Sequence, residues 1–98
     1  MAKRKVIWSP QAKIDKFKIL NYYFKRNGNK VYSKKLFHRF KKATKLLTNH
    51  PEIGVKTDVK NVRNLIEGDY CIFYKLKSEH VEIITIWDSR QDPQQINL

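Results

Sequence analysis

Residues 62–91, VRNLIEGDYCIFYKLKSEHVEIITIWDSRQ, decide the fold. At period two, Tyr70, Ile72, Tyr74 and Leu76 share one face of a strand, and Cys71, Phe73 and Lys75 share the other. A polar break at Lys77-Ser78-Glu79-His80 separates this run from Val81, Ile83, Ile84, Ile86 and Trp87, which is β-branched and almost continuously apolar. Two such runs joined by a few polar residues predict an antiparallel hairpin. Val62–Ile66, ahead of Glu67-Gly68-Asp69, predicts a third strand entered through a glycine turn. The last strand stops in Asp88-Ser89-Arg90-Gln91-Asp92-Pro93, a charged cluster at a strand end. A sheet presents working side chains at such an end while its centre stays dry.

Upstream, residues 5–9 (KVIWS) read as a short strand, and Ser9-Pro10 supplies an N-cap hydroxyl followed by proline at the first helical position. Ala12, Ile19, Leu20, Tyr23 and Phe24 then recur at helical spacing, with Phe17 widening the stripe. Asn27-Gly28-Asn29 ends that helix, glycine being suited to a left-handed cap. Tyr32, Leu36, Phe40, Ala43 and Leu47 predict a second amphipathic helix from about Lys30 to Thr48, with Phe37 and Leu46 broadening its stripe and Pro51 enforcing its end. Three residues between the helices imply an antiparallel helical hairpin. Residues 49–61 are a loop with a short strand near Ile53–Val55. The expected architecture is α+β: an N-terminal strand, then a two-helix antiparallel hairpin packed on a small, mainly antiparallel sheet, in the order β-α-α-β-β-β.

The chain has 98 residues and 41% hydrophobic content, enough for one modest core and one domain over 1–98. Its net charge is +12, and the charge is unevenly placed: Asp15 is the one acid in residues 1–50, while acids outnumber bases in residues 51–98. A half this basic attracts polyanions such as nucleic acid or an acidic protein segment. The apolar run behind Met1-Ala2-Lys3-Arg4-Lys5 is only Val6-Ile7-Trp8, too short for a signal peptide, and no window reaches the length of a membrane span. A single cysteine forms no internal disulfide and suits a reducing cytoplasm. His38, His50 and His80 lack metal-ligand spacing, so neither a metal nor a cofactor is expected.

The order of pieces resembles the RelE/ParE superfamily of bacterial type II toxins. The matching pieces are Trp8-Ser9-Pro10-x-Ala12, Leu47-x-x-x-Pro51-x-x-Gly54, Val62-Arg63-x-Leu65, Tyr70-x-Ile72-x-Tyr74 and Ile86-Trp87-Asp88-Ser89-Arg90-Gln91-x-Pro93. Their order and spacing carry the likeness, and the ending is nearer the ParE type. The resemblance implies a growth-arresting toxin neutralised by a cognate antitoxin. It also implies one of two targets: DNA gyrase for ParE-type members, or messenger RNA in the ribosome for RelE-type members.

Metal-free cleavage of RNA needs a base for the 2′-hydroxyl, an acid for the leaving 5′-oxygen and cations around the phosphorane-like transition state. In the RelE pattern an arginine follows the tyrosine that opens the penultimate strand; here that position is Cys71. The tyrosine or histidine common near the C-terminus is replaced by Gln91, Gln94, Gln95 and Asn97. Arg63, Asp88 and Arg90 are the remaining catalytic candidates, Asp88 as a proton acceptor and the arginines as phosphate clamps. Under the binding alternative, Arg63, Trp87, Asp88, Arg90 and Gln91 form the target surface. Arg63 also reads as an exposed strand cation or a partner for Asp69 or Asp88, Arg90 with Asp88 as a local ion pair, and Trp87 as the close of the core edge. Tyr70 and Tyr74 read as core. Lys34, Lys35, Arg39, Lys41, Lys42 and Lys45 lie on the polar face of the second helix, as a dock for an acidic or amphipathic antitoxin segment or as anion steering. The bland reading of these cations is solubility.

Overall fold

The computed structural model describes residues 4–90. β1 (Lys5–Trp8) leads into α1 (Pro10–Asn27) and α2 (Val31–Lys45), whose last turn tightens into a 3-10 helix at Leu46–Thr48. β2 (Val55–Lys56), β3 (Val62–Glu67), β4 (Tyr70–Leu76) and β5 (His80–Asp88) follow. The five strands lie in the order β1-β5-β4-β3-β2. β1 runs parallel to β5 and every other pairing is antiparallel. The helical hairpin and mainly antiparallel sheet are those expected; the short strand falls at Val55–Lys56, slightly beyond its expected position.

Local chemistry explains the helix ends. The Ser9 hydroxyl accepts from the Ala12 amide at 3.0 Å and donates to the Ile84 carbonyl at 2.9 Å, so one side chain caps α1 and ties it to β5. Gly28 ends α1 at φ +70, and its amide returns to the Phe24 carbonyl. A side chain there would meet the Cβ penalty of the left-handed region.

Register assigns the two sheet faces. Leu65, Ile72 and Ile86 stand abreast, as do Arg63, Tyr74 and Ile83. This face meets Ala12, Leu36, Phe40, Ala43 and Leu47 from the helices to form the core. The pairing of β4 with β5 slips between Phe73 and Tyr74, leaving Ile84 as an extra residue on β5. That bulge explains how Ile83 and Ile84, adjacent and both apolar, coexist in a strand that otherwise alternates. Five residues assigned to the helical stripes sit outside the core: Phe17 is 66% exposed, and Leu46, Phe24, Phe37 and Tyr32 are exposed as well. Periodicity put them on or beside the stripe, and no second layer covers them among the described residues.

Tyr70 and Tyr74 are core residues, as expected. Tyr74 is wholly buried; its hydroxyl donates to the Pro51 carbonyl at 2.8 Å and accepts from the Gly54 amide at 2.9 Å. A Cβ on Gly54 would stand 2.6 Å from that hydroxyl, which is why the close approach needs glycine. Tyr74→Phe keeps the ring and strands both backbone groups. It is expected to lower stability by about 1–3 kcal/mol, read as a lower urea midpoint at unchanged slope.

Candidate functional site

β1 pairs with β5 only from Lys5↔His80 to Trp8↔Ile83. Beyond Ile83, α1 takes the place of β1 along the β5 edge. Its first turns touch the strand: the Thr85 hydroxyl donates to Asp15 Oδ2, and Gln11 donates to Asp15 Oδ1 at 2.8 Å. Further on, helix and strand enclose a cleft of about 560 Å³. One wall is α1, with Asp15, Ile19 and Tyr23 on one row and Lys18, Tyr22 and Arg26 on the next, each at four-residue steps. The other wall is Ile86, Trp87, Asp88 and Arg90, with Tyr70 from β4 behind them.

At the mouth a hydrogen-bonded chain sets the electrostatics. Asp88 Oδ1 accepts from the Arg90 amide and from Nε, both at 2.9 Å, and Oδ2 accepts from Nη2 at 2.7 Å. This fork immobilises the guanidinium. Arg90 Nη2 also reaches the Tyr23 hydroxyl at 3.5 Å, and the Tyr70 hydroxyl donates to the same oxygen at 3.3 Å. The Ser89 amide donates to the Asp69 carbonyl at 2.8 Å, pinning the strand end to the β3–β4 turn. Behind, Tyr70 meets Phe40 edge-on with ring centroids 5.3 Å apart, and Tyr23 packs against Tyr22 and Tyr32.

Each titrating group responds to these neighbours. The hydrogen bonds from Arg90 hold the Asp88 carboxyl below the usual carboxylate range. Donation from Tyr70, and then from Arg90, lowers the Tyr23 phenol. Burial, and then the Tyr23 hydroxyl, push the Tyr70 phenol up; burial does the same to Tyr74. The order of ionisation on raising pH is therefore Tyr23 before Tyr70 and Tyr74. An unfolded tyrosine loses its proton near about pH 10. Above that, the native state keeps protons on Tyr70 and Tyr74 that the unfolded state has released, so their contribution to stability falls as pH rises. Tyr23 acts in the opposite sense, gaining stability just below that pH. With two phenols raised and one lowered, the unfolding midpoint should drop above about pH 10. Tyrosinate absorbance should show one phenol ionising early, and Tyr23→Phe should remove that early phase.

Of the residues expected in a site, Trp87, Asp88 and Arg90 come together at this corner. Gln91 lies outside the described residues. Arg63 stands apart: it pairs across from Tyr74, four residues along β4 from Tyr70, a separation of about 13 Å. Its Nη1 donates to the carbonyls of Glu52 at 3.1 Å and Gly54 at 2.9 Å, holding the loop before β2 rather than pairing with Asp69 or Asp88. Cys71 faces away from Tyr70, abreast of Ile66 and Trp87. Lys34, Lys35, Arg39, Lys41, Lys42 and Lys45 are exposed along α2, and Arg39 is paired with Glu67 at 3.1 Å. Sequence reasoning missed Tyr23, Tyr22, Lys18 and Arg26 as site residues. Their signal was present: Lys18-x-x-x-Tyr22-x-x-x-Arg26 is a polar and aromatic row at one-turn steps. Among the described residues no group of histidine, cysteine and acid side chains could hold a metal ion. No described helix is long and apolar enough to cross a membrane.

Comparison with known proteins gives a consistent set of likenesses. Residues 6–93 match the sequence model of a family described as the ParE toxin of the type II toxin–antitoxin system parDE. No curated protein sequence matches. Among solved structures, one of a chromosomal ParDE toxin–antitoxin system from P. aeruginosa superposes with a TM-score of 0.75 at 19% identity, covering 88% of this chain and 96% of that one. The E. coli DinJ–YafQ toxin–antitoxin complex gives 0.57 at 15% identity, covering 90% and 94%. The YoeB dimer from Staphylococcus aureus gives 0.58 at 18% identity, covering 86% and 94%. At these identities the structural matches speak for the fold.

Proposed function

The chain belongs to the ParE toxin family of type II toxin–antitoxin systems, and from that premise we propose that it arrests growth by binding and inhibiting DNA gyrase in the cytoplasm. The observation that supports this reading is the corner at the end of β5. Arg90 is fixed there by its fork to Asp88 and presents a rigid cation beside Trp87 and the cleft. An immobilised arginine next to an aromatic side chain is the usual composition of a binding hot spot. Gln91 follows directly in sequence and belongs to the same proposed surface; Arg63 serves it at a distance, through the loop it holds.

The cognate antitoxin is proposed to dock on the outer face of the helical hairpin. Phe17 and Phe24 on α1 and Phe37 on α2 remain exposed, and Lys34, Lys35, Lys41, Lys42 and Lys45 are exposed along α2. An amphipathic acidic segment would cover the rings and meet the charges. The apolar contacts should resist salt while the charged rim weakens with it.

A second reading, cleavage of messenger RNA on the ribosome, is favoured by Tyr23. Its phenol is lowered and sits within reach of Arg90, which pairs a proton-transfer group with a cation. Against it stands Asp88, which the Arg90 fork holds ionised and fully engaged. Purified protein added to gyrase and relaxed plasmid tests the first reading. Loss of supercoiling, relieved by a cognate antitoxin, supports it, and unimpaired supercoiling at excess protein refutes it.

A further inference from the structure

We propose that the cleft between α1 and β5 binds a nucleoside 5′-phosphate, free or as the terminal nucleotide of a single strand. This goes beyond the gyrase reading and does not depend on it. The cleft has about 560 Å³, within the range of small-molecule sites. Its charge is sorted along its length. Arg26 and Arg90 line the cleft with Tyr23, Arg90 being held in its fork by Asp88; elsewhere along it the Asp15 carboxylate is held by Gln11 and Thr85. An anion is drawn to the arginines and repelled from Asp15. Arg26 has no carboxylate partner among the described residues, so it remains free to pair with an incoming phosphate.

The uncharged lining is aromatic and apolar, with Tyr22, Tyr23, Ile19, Ile86 and Trp87. The row Lys18, Tyr22, Arg26 spans about 12 Å of helix, the order of a nucleotide's length from phosphate to base. A base seated on this wall would stack on an aromatic face, with its phosphate on the arginines. An acidic peptide would use the cations but would leave the aromatic wall without a role.

The test uses the full chain made by cell-free synthesis, with Trp8→Phe so that Trp87 alone reports by fluorescence. Adenosine 5′-monophosphate should quench Trp87 saturably, and Arg26→Ala and Tyr22→Ala should each weaken binding about tenfold or more. Both side chains are exposed, so these variants should fold normally. Lys41→Ala, on α2, should leave binding unchanged. Comparing the mononucleotide with a 5′-phosphorylated oligonucleotide separates the two sources: equal affinity assigns a free nucleotide, much tighter strand binding assigns a strand end, and each supports the site. Three results overturn it: no saturable change, equal weakening by Lys41→Ala, or equal competition by inorganic phosphate or a glutamate-rich peptide. Growth arrest and gyrase inhibition are measured separately, so failure here leaves the proposed function standing.

Discussion

Phe40→Ala is expected to lower the stability of the folded domain by about 3–5 kcal/mol. Phe40 is fully buried and meets Tyr70 edge-on at 5.3 Å, between the helices and the covered face of the sheet. Truncation removes the transfer energy of the ring and leaves a cavity that Leu36, Tyr70 and Ile72 can fill only in part. A domain of this size holds roughly 5–15 kcal/mol in total, so the loss is a large fraction of it. The urea midpoint should fall steeply with the slope preserved. The effect should also reach the cleft, because Phe40 backs Tyr70 and Tyr70 donates to Tyr23. Phe17→Ala is the control: its side chain is 66% exposed, and the midpoint should hardly move. A similar loss for both variants would contradict the assignment of the core.

Arg90→Ala is expected to raise the amount of protein needed for growth arrest about a hundredfold, the size of effect when a central arginine of an interface is removed. The fold should survive, because Arg90 is exposed and its partners lie at a strand end. Circular dichroism and the urea midpoint of the variant should match those of the parent. Arg63→Ala should behave in the opposite way. It releases the Glu52 and Gly54 carbonyls, so the midpoint should fall and any loss of activity should follow that fall. Growth arrest is scored by induced expression in a bacterium lacking antitoxin. Undiminished arrest by a well-folded Arg90→Ala protein would remove the β5 corner from the target surface.

These two pairs show what the sequence carried and what it did not. Phe17 and Phe40 both lie on or beside a helical stripe, and periodicity cannot say which part of a face another layer will cover. Arg63 reads as an exposed strand cation and Arg90 as half of a local pair with Asp88; that pair is present, but only the loop returning through Gly54 gives Arg63 its carbonyl partners. Local signals were legible because their causes are local: the Ser9 cap, the Gly28 turn, the alternation in β4 and the charged stop after Trp87. The parallel pairing of β1 with β5 joins residues 75 positions apart and leaves no periodic trace. The cleft follows from that pairing, since α1 lies beside β5 only where β1 stops. Tyr22, Tyr23 and Arg26 therefore read as ordinary helix residues until the strand edge is set next to them. The bulge at Ile84 lies between these cases: the adjacent Ile83 and Ile84 interrupt the alternation, but only the register identifies the extra residue.

The most direct test of the central claim is induced expression without antitoxin, followed by pulse-labelling of DNA and protein synthesis over the first minutes. Gyrase inhibition predicts that DNA synthesis stops first, with messages left intact, and that Arg90→Ala raises the amount of protein needed for that effect about a hundredfold. Protein synthesis stopping first, with messages cut at the ribosome, would contradict the gyrase reading and make Tyr23, beside Arg90, the residue to examine in RNA cleavage.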